Sequence, residues 1–551
     1  MATFAELIRA RAGDDHVGLR FEDETYTWAR LVREAELRAA LALDLREPGQ
    51  PFHIGVLLEN VPEYVLWIFA AALSGAALVG VNPTRRGAEL AADVRHTDCR
   101  IIVTDSAGAA LLDGLDIGPP PERVLLVDTP RYRDLLAPRT GAEASAALTA
   151  GRAPRPRDVL LLLFTSGSTG TPKAVICSQG RLAAIAERGT LFGIGRDSVT
   201  YLAMPLFHGN AIMANLAMAV YAGATVAMRR RFSASAFLSD VRRHGVTYFN
   251  YVGRALAYIL ATPERDDDAC NPLRAAFGTE ASARDLTEFA RRFDTRIIEG
   301  YGSSEGVIAI SKVPGTPADA LGLPQEGTDV AVHDPVTGRE CPRARFDGSG
   351  GLVNGHEAIG EIVRRDASFE GYYNNPEADA LRLRGGWYWS GDLAYRDRDG
   401  YFYFAGRDAD RLRVDSENFA AAPVERILAR YPGTIMCAVY AVPDPRTGDQ
   451  VMAALEIDGD FDPDDFAAFL RAQPDLGTKW APRFVRLTPE MPLTATNKVD
   501  KGGLRRERWE CADPVWWRPS RELAYVPLSQ EGRTALRTRF AEFGRTRLLF
   551  S

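Results

Sequence analysis

Short apolar segments alternate with amphipathic ones along much of the chain. Between residue 50 and about residue 310, runs of four to seven apolar residues are separated by amphipathic stretches, as parallel strands are separated by crossover helices. The predicted strands are His53–Leu58, Arg100–Thr104, Val124–Val127, Val159–Phe164, Thr225–Met228 and Arg296–Ile298. This pattern predicts an α/β fold.

The pattern changes after Gly315. Glycine and proline now punctuate short strands such as Gly360–Val363, which predicts a β-rich subdomain with many turns. A break follows at Gly406-Arg407, and from there to about residue 510 the chain reads as a compact α+β unit of roughly 100 residues, a common domain size. We therefore expect domains at residues 1–406 and 407–510, and a C-terminal tail, residues 511–551, packed on the core.

The most lipid-like stretch runs from Tyr64 to Val81 and is long enough to be tested as a membrane span. Gly75, Gly80 and the Asn82-Pro83 pair interrupt it. A helix, a glycine turn and a short buried strand are therefore the better interpretation, and we expect no stable membrane insertion.

Two features predict a cytoplasmic location. Charged Glu6, Arg9 and Arg11 stand where a secretion signal would need a continuous apolar core, so no such signal is expected. The cysteines are too far apart for CxxC or zinc-finger spacing, which indicates reduced thiols. They are Cys99, Cys177, Cys270, Cys341, Cys437 and Cys511.

Composition narrows the class of protein and its partners. The 551 residues, 46% of them hydrophobic, suffice for three or four folding units with a buried core, as in a multi-lobed enzyme. The formal charge of -7, with no basic block, argues against nucleic acid as a partner. Five of the 66 basic residues are lysines, which makes each of them conspicuous: Lys173, Lys312, Lys479, Lys498 and Lys501.

The strongest chemical signal is the segment TSGSTGTPKAV, directly after the apolar strand that ends at Phe164. Its hydroxyl groups, glycines and lysine can surround a phosphate, because glycine lets backbone amides approach a ligand closely. The predicted phosphate-binding residues are Thr165, Ser166, Gly167, Ser168, Thr169, Gly170 and Lys173. It is not a Walker A loop, since Pro172 precedes the lysine and Ala174 follows it. A solvated turn is the alternative, but such a turn seldom ends in Pro-Lys before an apolar strand.

With this loop, the sequence resembles the adenylate-forming superfamily of acyl-CoA synthetases, luciferases and nonribosomal adenylation domains over nearly the whole chain. The second element of the resemblance is GYGSSEG, Gly300–Gly306. The resemblance implies that Tyr301, with Gly302, lies against adenine and that the Ser304 hydroxyl contacts phosphate. It also implies that Glu305 binds Mg²⁺, a hard cation that prefers carboxylate oxygen.

The resemblance implies further nucleotide contacts. The segment FGTEAS is similar to the family's adenine-binding loop, so Gly278, Thr279 and Glu280 are expected to border the purine. Asp392 in GGWYWSGDL matches an aspartate that accepts both ribose hydroxyls, a task for which a carboxylate has paired acceptors. Arg407 in AGRDAD matches an arginine at the same ribose and at the domain junction. The implied cofactors are ATP and Mg²⁺.

Lys498, in PLTATNKVDKGGLR, matches the family's adenylation lysine, which bridges the attacking carboxylate and the α-phosphate. A cation placed there stabilises the charge that develops in the transition state more than it stabilises the reactants. Lys501, three residues further on, is interpreted as a solvated surface lysine. His208, in MPLFHGN, matches a position that gates or lines the acid pocket, although a lone histidine is more often structural.

Two segments resemble the fatty-acid-transport and very-long-chain branch of this superfamily, which usually activates aliphatic acids. Tyr248–Pro263 resembles its pocket helix, and Asp513–Trp517 resembles part of its C-terminal tail. At helical spacing, however, Tyr251, Leu256 and Ile259 would read simply as core residues.

Two positions depart from the family pattern. Ser416 stands where a glycine normally lines the pantetheine tunnel, and a side chain there could narrow it. Ala409 stands at the hinge, where many members carry Asp or Lys. The second departure matters less, because hinges often use small residues.

The resemblance implies two α/β subdomains and a β-rich subdomain, followed by a small mobile α+β domain that carries Lys498. The leading functional prediction is a fatty acyl-CoA ligase, which forms an acyl adenylate and pyrophosphate from ATP and an acid and then transfers the acyl group to CoA. One alternative keeps the adenylate chemistry with another small-molecule acid or acceptor, such as nitrite activated for diazotisation of an aryl amine in a natural-product pathway. The other is a nucleotide-binding protein without catalysis. The oligomeric state is left open, with a homodimer as one alternative.

Overall fold

The computed structural model describes most of the chain. The described residues are 2–139, 141–165, 173–252, 255–279, 281, 283–317, 320–348, 352–407, 411–414, 417–445, 449–473, 476–477, 479–494, 498–520, 522–543 and 545–549. They divide into two compact units. Unit one comprises Met1–Ala309 and Ser368–Leu381, and unit two comprises Ile310–Ala367 and Arg382–Ser551. This division does not test the expected boundaries after residues 406 and 510, which stay predictions.

Helices occur in both units, and several begin at a residue whose side chain caps them. Thr27 and Ser178, for example, each accept a hydrogen bond from the backbone N–H three residues on, which satisfies one of the free donors of a first helical turn. The α-helices are α1 Phe4–Arg9, α2 Trp28–Asp44, α3 Pro62–Ser74, α4 Gly87–His96, α5 Ser106–Leu112, α6 Pro130–Leu136, α7 Gly141–Ala150, α8 Gln179–Glu187, α9 Gly209–Ala211, α10 Ala217–Ala222, α11 Ala234–His244, α12 Ala255–Leu260, α13 Ala283–Phe293, α14 Gly355–Ala358, α15 Pro376–Arg382, α16 Ala421–Leu428, α17 Pro463–Arg471, α18 Lys501–Glu507 and α19 Gln530–Glu542. A π-helical turn, Ile212–Leu216, joins α9 to α10.

The strands of the chain are mostly short and many are fully buried. They are β1 Val17–Phe21, β2 Glu24–Thr27, β3 His53–Leu57, β4 Ala77–Gly80, β5 Ile101–Thr104, β6 Val124–Leu126, β7 Val159–Thr165, β8 Lys173–Ser178, β9 Val199–Leu202, β10 Thr225–Met228, β11 Tyr248–Val252, β12 Ala275–Thr279, β13 Arg296–Gly302, β14 Ala309–Ser311, β15 Leu323–Pro324, β16 Val330–His333, β17 Gly360–Arg365, β18 Leu383–Arg384, β19 Trp387–Arg396, β20 Phe402–Arg407, β21 Arg411–Val414, β22 Glu417–Ala420, β23 Thr434–Pro443, β24 Asp449–Ile457, β25 Phe484–Leu487, β26 Val515–Trp517 and β27 Val526–Pro527.

Unit one contains two α/β sheets. One has the neighbour order β13-β12-β11-β9-β10-β1-β2, and the other has the order β6-β5-β3-β4-β7-β8. All these pairs are parallel except β1–β2 and β7–β8, as expected for strands joined by crossover helices. The predicted α/β fold with two α/β subdomains is therefore confirmed.

Unit two is richer in antiparallel sheet, as the glycine and proline pattern predicted. One sheet has the order β16-β17-β19-β18, with β20 also paired to β19. A second has the order β23-β24-β25-β26-β27 and accompanies the helices of the predicted α+β region. Strand β26, from the predicted tail, pairs with β25, so this part of the tail belongs to the second sheet.

The lipid-like stretch adopts the predicted helix, turn and strand. Helix α3 ends at Gly75, whose φ of 76° is a left-handed conformation that glycine adopts without a Cβ penalty, and strand β4 follows. Residues 64 to 73 are almost wholly buried within unit one, which explains their apolar character. Among the described residues, no helix combines the length and the apolar character that a membrane crossing requires.

The expectation of a helix throughout Tyr248–Pro263 is wrong. Residues 248–252 form the parallel strand β11, buried on both faces, and the helix α12 begins only at Ala255. A short apolar run of this kind cannot be assigned to helix or strand by periodicity alone. The alternative interpretation of Tyr251, Leu256 and Ile259 as core residues is confirmed, since each is at most 1% exposed in one hydrophobic cluster.

Candidate active site

The predicted phosphate-binding loop joins two paired strands of unit one. Strand β7 ends at Thr165 and β8 begins at Lys173, and these two residues are opposite each other in the antiparallel ladder. The intervening candidates, Ser166, Gly167, Ser168, Thr169 and Gly170, lie outside the described residues. The structure thus places both ends of the loop at the same end of one hairpin.

The predicted adenine-binding segment begins at the end of β12. Gly278 is opposite Tyr251 of β11, and a Cβ on Gly278 would lie only 2.4 Å from the Tyr251 ring. Burial raises the pKa of the Tyr251 hydroxyl, and the nearby carboxylates of Glu299 and Asp285 raise it further. Glycine is therefore required here, because any Cβ would collide with the Tyr251 ring. The raised pKa keeps the Tyr251 hydroxyl protonated and uncharged.

The rest of this segment is held from the neighbouring strand. Glu299 of β13 accepts a hydrogen bond from the backbone N–H of Ala281 at 2.9 Å. Thr279 is the last residue of β12, whereas Glu280 lies outside the described residues. Glu299 was not predicted as a site residue, because nothing in its sequence spacing distinguishes a glutamate that binds a neighbouring backbone from a solvated one.

Strand β13 brings the GYGSSEG motif to the same edge of the sheet. Strands β11, β12 and β13 are parallel, so their carboxyl ends, with Thr279 and the Tyr301-Gly302 pair, share one edge. This is the edge at which open α/β sheets bind ligands. Tyr301 is half-buried and Gly302 is exposed. The structure therefore brings together two segments that the sequence analysis assigned to adenine.

Glu305 is held by a tyrosine that the sequence analysis did not identify. The Tyr372 hydroxyl donates a hydrogen bond of 2.6 Å to Glu305 Oε1, and Glu305 is only 7% exposed. The two residues are 67 positions apart, so no local spacing pointed to the pair. A buried carboxylate that is hydrogen-bonded through one oxygen has a defined orientation, which suits a metal-binding role.

The residue before Glu305 is fixed by an arginine of α8. Arg181 Nη2 donates to the backbone carbonyl of Ser304 at 2.5 Å, and Arg181 Nη1 donates to the carbonyl of Ile176 in β8 at 2.8 Å. A Cβ on Gly306, whose φ is 61°, would lie 2.5 Å from Arg181 Nη2. The motif glycine therefore makes room for the guanidinium group that ties the motif to β8.

The segment 370–373 extends this attachment along β8. Tyr372 pairs with Val175 in an isolated antiparallel bridge, and the N–H of Tyr373 donates to the carbonyl of Ala174 at 2.8 Å. Glu370 accepts from the hydroxyl and backbone N–H of Ser178 at 2.5 and 2.9 Å. The strand that starts at Lys173 is thus connected through Tyr372 to Glu305.

His208 follows a loop that is held by polar and steric contacts. Asn60 accepts from the N–H of Leu206 and donates to the carbonyl of Met204, both at 2.9 Å. The loop also lies so close to β4 that a Cβ on Gly80 would be 2.7 Å from the carbonyl oxygen of Phe207. These contacts fix the backbone that leads to His208, which is itself half-buried.

The residue after His208 lies beside the GYGSSEG motif. A Cβ added to Gly209 would be 3.6 Å from Ser304 Oγ, an ordinary van der Waals distance. The structure therefore brings the residue after the predicted pocket histidine close to the predicted phosphate-binding hydroxyl. A cavity of about 530 Å³ between α5, β6 and α6 contains none of the predicted site residues.

The predicted ribose-binding residues are opposite each other in unit two. Asp392 of β19 pairs with Arg407 of β20 in the antiparallel ladder. Gly406, just before Arg407, has a φ of 115°, which is strained for any residue with a Cβ. The register thus joins two residues that the sequence analysis assigned to one ribose, and β20 ends where the sequence predicted a break.

Lys498 is hydrogen-bonded to Thr494 in unit two. Its N–H donates to Thr494 Oγ1 at 3.2 Å, its carbonyl accepts from the Thr494 N–H at 2.6 Å, and Leu493 pairs with Val499. These contacts hold Thr494 and the half-buried Lys498 side by side. Ala409 and Ser416 lie outside the described residues.

The interpretation of Lys501 as a solvated lysine is wrong. Its Nζ lies 2.8 Å from Glu425 Oε1, and its side chain is 18% exposed. Lys501 is the first residue of α18 and Glu425 belongs to α16, so the pair joins two helices of unit two. The long distance along the chain between the partners hid this ion pair from the sequence analysis.

Comparison with known proteins gives a consistent result. The family described as AMP-binding enzyme matches residues 8–373, and the AMP-binding enzyme C-terminal domain matches residues 423–498. The steroid-22-oyl-CoA synthetase of Rhodococcus jostii (strain RHA1) is 52% identical over 99% of both chains. A medium/long-chain-fatty-acid–CoA ligase of Mycobacterium tuberculosis is 45% identical over 93% of this chain and 98% of its own. Among solved structures, ATP-bound MatB from Rhodopseudomonas palustris shares the fold with a TM-score of 0.79, at 21% identity over 91% of this chain and 97% of its own.

Proposed function

This chain belongs to the AMP-binding enzyme family, and we propose that the acid it activates is a carboxylic acid on a steroid side chain. The chain is an AMP-forming acid–CoA ligase: the acid and ATP give an acyl adenylate and pyrophosphate, and CoA then gives the thioester and AMP. The single observation that carries the steroid assignment is the 52% identity to a steroid-22-oyl-CoA synthetase over 99% of both chains. It exceeds the 45% identity to the fatty-acid ligase, which supports fatty acids as the second candidate.

We infer a division of labour in the first half-reaction from the family resemblance. Ser304 and the phosphate loop bind the phosphates, Tyr301, Gly278 and Thr279 border adenine, and Asp392 with Arg407 holds the ribose. Lys498 neutralises the charge that develops as the acid's carboxylate attacks the α-phosphate and pyrophosphate leaves. His208 lines the entrance to the acid pocket. In this scheme the motif glycines and the buried contacts of Ser304 and Glu305 keep the site in position before the substrate binds.

The residues around Glu305 fit Mg²⁺ bound together with a nucleotide. Among the described residues, no cluster of three or more His, Cys, Asp or Glu side chains could hold a metal ion by itself. Mg²⁺ at nucleotides usually needs only one or two carboxylates, since phosphates and waters supply its other ligands. One oxygen of Glu305 accepts a hydrogen bond from the Tyr372 hydroxyl, which holds the carboxylate in one orientation. The bound ion would neutralise phosphate charge.

The enzyme is proposed to act in the cytoplasm, where ATP and CoA are available. All six cysteines are free thiols, and burial raises the pKa of Cys177, on β8, to about 12. A thiol with such a pKa stays protonated and unreactive at neutral pH. Cys177 is therefore suited to a structural role within β8 in a reducing compartment.

The proposal is tested by measuring pyrophosphate release with a panel of acids, in the presence of CoA or of an aryl amine. The panel comprises a steroid-22-oic acid, dodecanoate, palmitate and nitrite. We expect kcat/KM for the steroid acid to exceed that for the fatty acids about tenfold or more, because a pocket shaped for fused rings leaves an aliphatic chain poorly packed. CoA should be the acceptor. A preference for fatty acids would establish the second candidate, and nitrite-dependent release with the amine would overturn both.

A further inference from the structure

Three asparagines form a hydrogen-bonded row in unit one that ends two residues after His208. Asn215 Nδ2 donates to Asn250 Oδ1 at 2.7 Å, and Asn250 Nδ2 donates to Asn210 Oδ1 at 2.7 Å. Asn215 lies in the π-helical turn, Asn250 in β11 and Asn210 in α9. We call Asn215, Asn250 and Asn210 the asparagine relay.

The direction of the relay is set by a backbone carbonyl. Asn215 Nδ2 also donates to the carbonyl of Tyr201 at 2.9 Å, and a carbonyl can only accept. The nitrogen of Asn215 must therefore face Tyr201 and Asn250, so Asn250 presents its oxygen to Asn215 and its nitrogen to Asn210. Asn210 in turn presents its oxygen to Asn250, and its nitrogen is directed away from the relay.

Burial prevents the relay from reversing. Asn215 and Asn250 are each 0% exposed, and a buried amide that loses its partners is strongly unfavourable. Reversing any one amide would place two oxygens or two nitrogens against each other. The buried Asn215 therefore orients Asn250, and Asn250 orients the half-buried Asn210. The asparagine relay contains no charged group.

The residue before the outer end of the relay lies next to the candidate phosphate-binding hydroxyl. Gly209 precedes Asn210, and a Cβ on Gly209 would be 3.6 Å from Ser304 Oγ. In the part of the chain that the structure describes, Asn210 Nδ2 donates to no protein acceptor. Because the acid's carboxylate must reach the α-phosphate near Ser304, an N–H₂ group on the residue after Gly209 is a candidate donor to a carboxylate oxygen.

We propose that Asn210 donates a hydrogen bond to the carboxylate of the acid and then to the carbonyl oxygen of the acyl adenylate. Asn250 and Asn215 act as positioning residues, since they fix which end of the Asn210 amide faces the substrate. A neutral donor binds the carboxylate without lowering its nucleophilicity as much as a full positive charge would. This inference rests on the proposed function through the placement of Ser304 at the α-phosphate.

The first test replaces the donor by an acceptor of the same size. Asn210→Asp should weaken binding of the acid, measured by equilibrium dialysis, about 10- to 100-fold, the loss expected for a hydrogen bond to a charged group. The matching primary alcohol, which carries no carboxylate, should bind within about twofold of its affinity for the wild type. A purely structural defect would instead weaken both ligands. Equal binding of the acid by variant and wild type would overturn the proposal.

The second test changes Asn250 so that the amide of Asn210 turns around. The carboxylate of Asn250→Asp can only accept, so Asn210 would turn its nitrogen inward and its oxygen toward the substrate. Asn250→Asp and Asn210→Ala should each lower kcat/KM for the acid about tenfold or more, and the double variant should lose no more than Asn210→Ala alone. Losses that multiply would overturn the positioning role.

Thr200 supplies the matched control. Its hydroxyl donates to Asn215 Oδ1 at 2.8 Å and is fully buried, but the Tyr201 carbonyl alone suffices to orient Asn215. Thr200→Val should therefore lower the melting temperature while leaving kcat/KM for the acid unchanged. The acid used is the one with the highest kcat/KM in the panel, so an error in the steroid assignment leaves these tests intact.

Discussion

The site residues of the two units are held in different ways. In unit one, Ser304 and Glu305 are fixed by Arg181 and Tyr372, which are 123 and 67 positions away in the sequence. In unit two, Lys498 is fixed by Thr494, four positions away, and Asp392 by a strand that follows its own. The first group depends on long-range side-chain contacts, whereas the second depends on local hairpins.

This difference predicts different sensitivities to substitution. A long-range contact links segments whose register is set by the whole sheet, so removing a distant partner should disturb the site in unit one. A short loop keeps its shape through its own hydrogen bonds, so in unit two the functional side chain itself should matter more than its surroundings. Each of the following predictions tests one side of this comparison.

The largest effect is expected for Lys498→Ala. Because the lysine acts on charge that develops at the α-phosphate, the variant should lose about 10²-fold or more in acid-dependent pyrophosphate release. ATP binding, measured by equilibrium dialysis, should be retained, since the loop around Thr494 closes through the backbone and the threonine hydroxyl. A variant with normal pyrophosphate release would remove Lys498 from the reaction.

Gly278→Ala should give the next largest effect. The added methyl would lie 2.4 Å from the Tyr251 ring, and overpacking of this kind costs about 1–3 kcal/mol of folding free energy. The KM for ATP should rise as well, because the strand that carries Thr279 must shift. Thermal unfolding and ATP titration measure both effects. Gly195→Ala is the matched control, since nothing lies within 4 Å of its Cβ position.

Tyr372→Phe removes only the hydroxyl that orients Glu305. We expect the Mg²⁺ concentration for half-maximal activity to rise roughly 3- to 10-fold, because partners that orient a ligand carboxylate contribute to metal affinity. Tyr373→Phe removes a hydroxyl from the adjacent residue, which donates to Asp98 at 2.8 Å instead. If both variants give the same magnesium titration, Tyr372 does not position a metal ligand.

The smallest effect is expected for Lys501→Met. The ion pair with Glu425 is partly shielded from solvent, and its loss should cost roughly 1 kcal/mol in urea unfolding, partly offset by burial of the methionine. Pyrophosphate release should change less than about twofold, because the pair joins two helices and not the Lys498 loop. A loss as large as that of Lys498→Ala would contradict the local organisation of unit two.

Much of the fold and of the candidate site was predictable from the sequence. Apolar runs predicted the buried parallel strands, because a strand covered by helices on both faces must be apolar along its length. The hydroxyls, glycines and lysine of TSGSTGTPK predicted a phosphate site, and the resemblance of GYGSSEG to the adenylate-forming superfamily extended that prediction to adenine and Mg²⁺. The domain break expected at Gly406-Arg407 stays a prediction, although Gly406 does take a positive φ.

Which remote side chains hold that site depends on how the whole chain packs. The sequence contains Tyr372, Arg181 and Asn250, but their partners depend on strand order and register, which place residues far apart in the chain side by side. The same reason explains why Tyr248–Val252 was expected to be helical and Lys501 to be solvated. A local pattern reports periodicity and residue type, but it does not report which distant residues lie alongside. Long-range pairing arises only when whole sheets and helices pack, and it is this packing that gives the asparagine relay its direction.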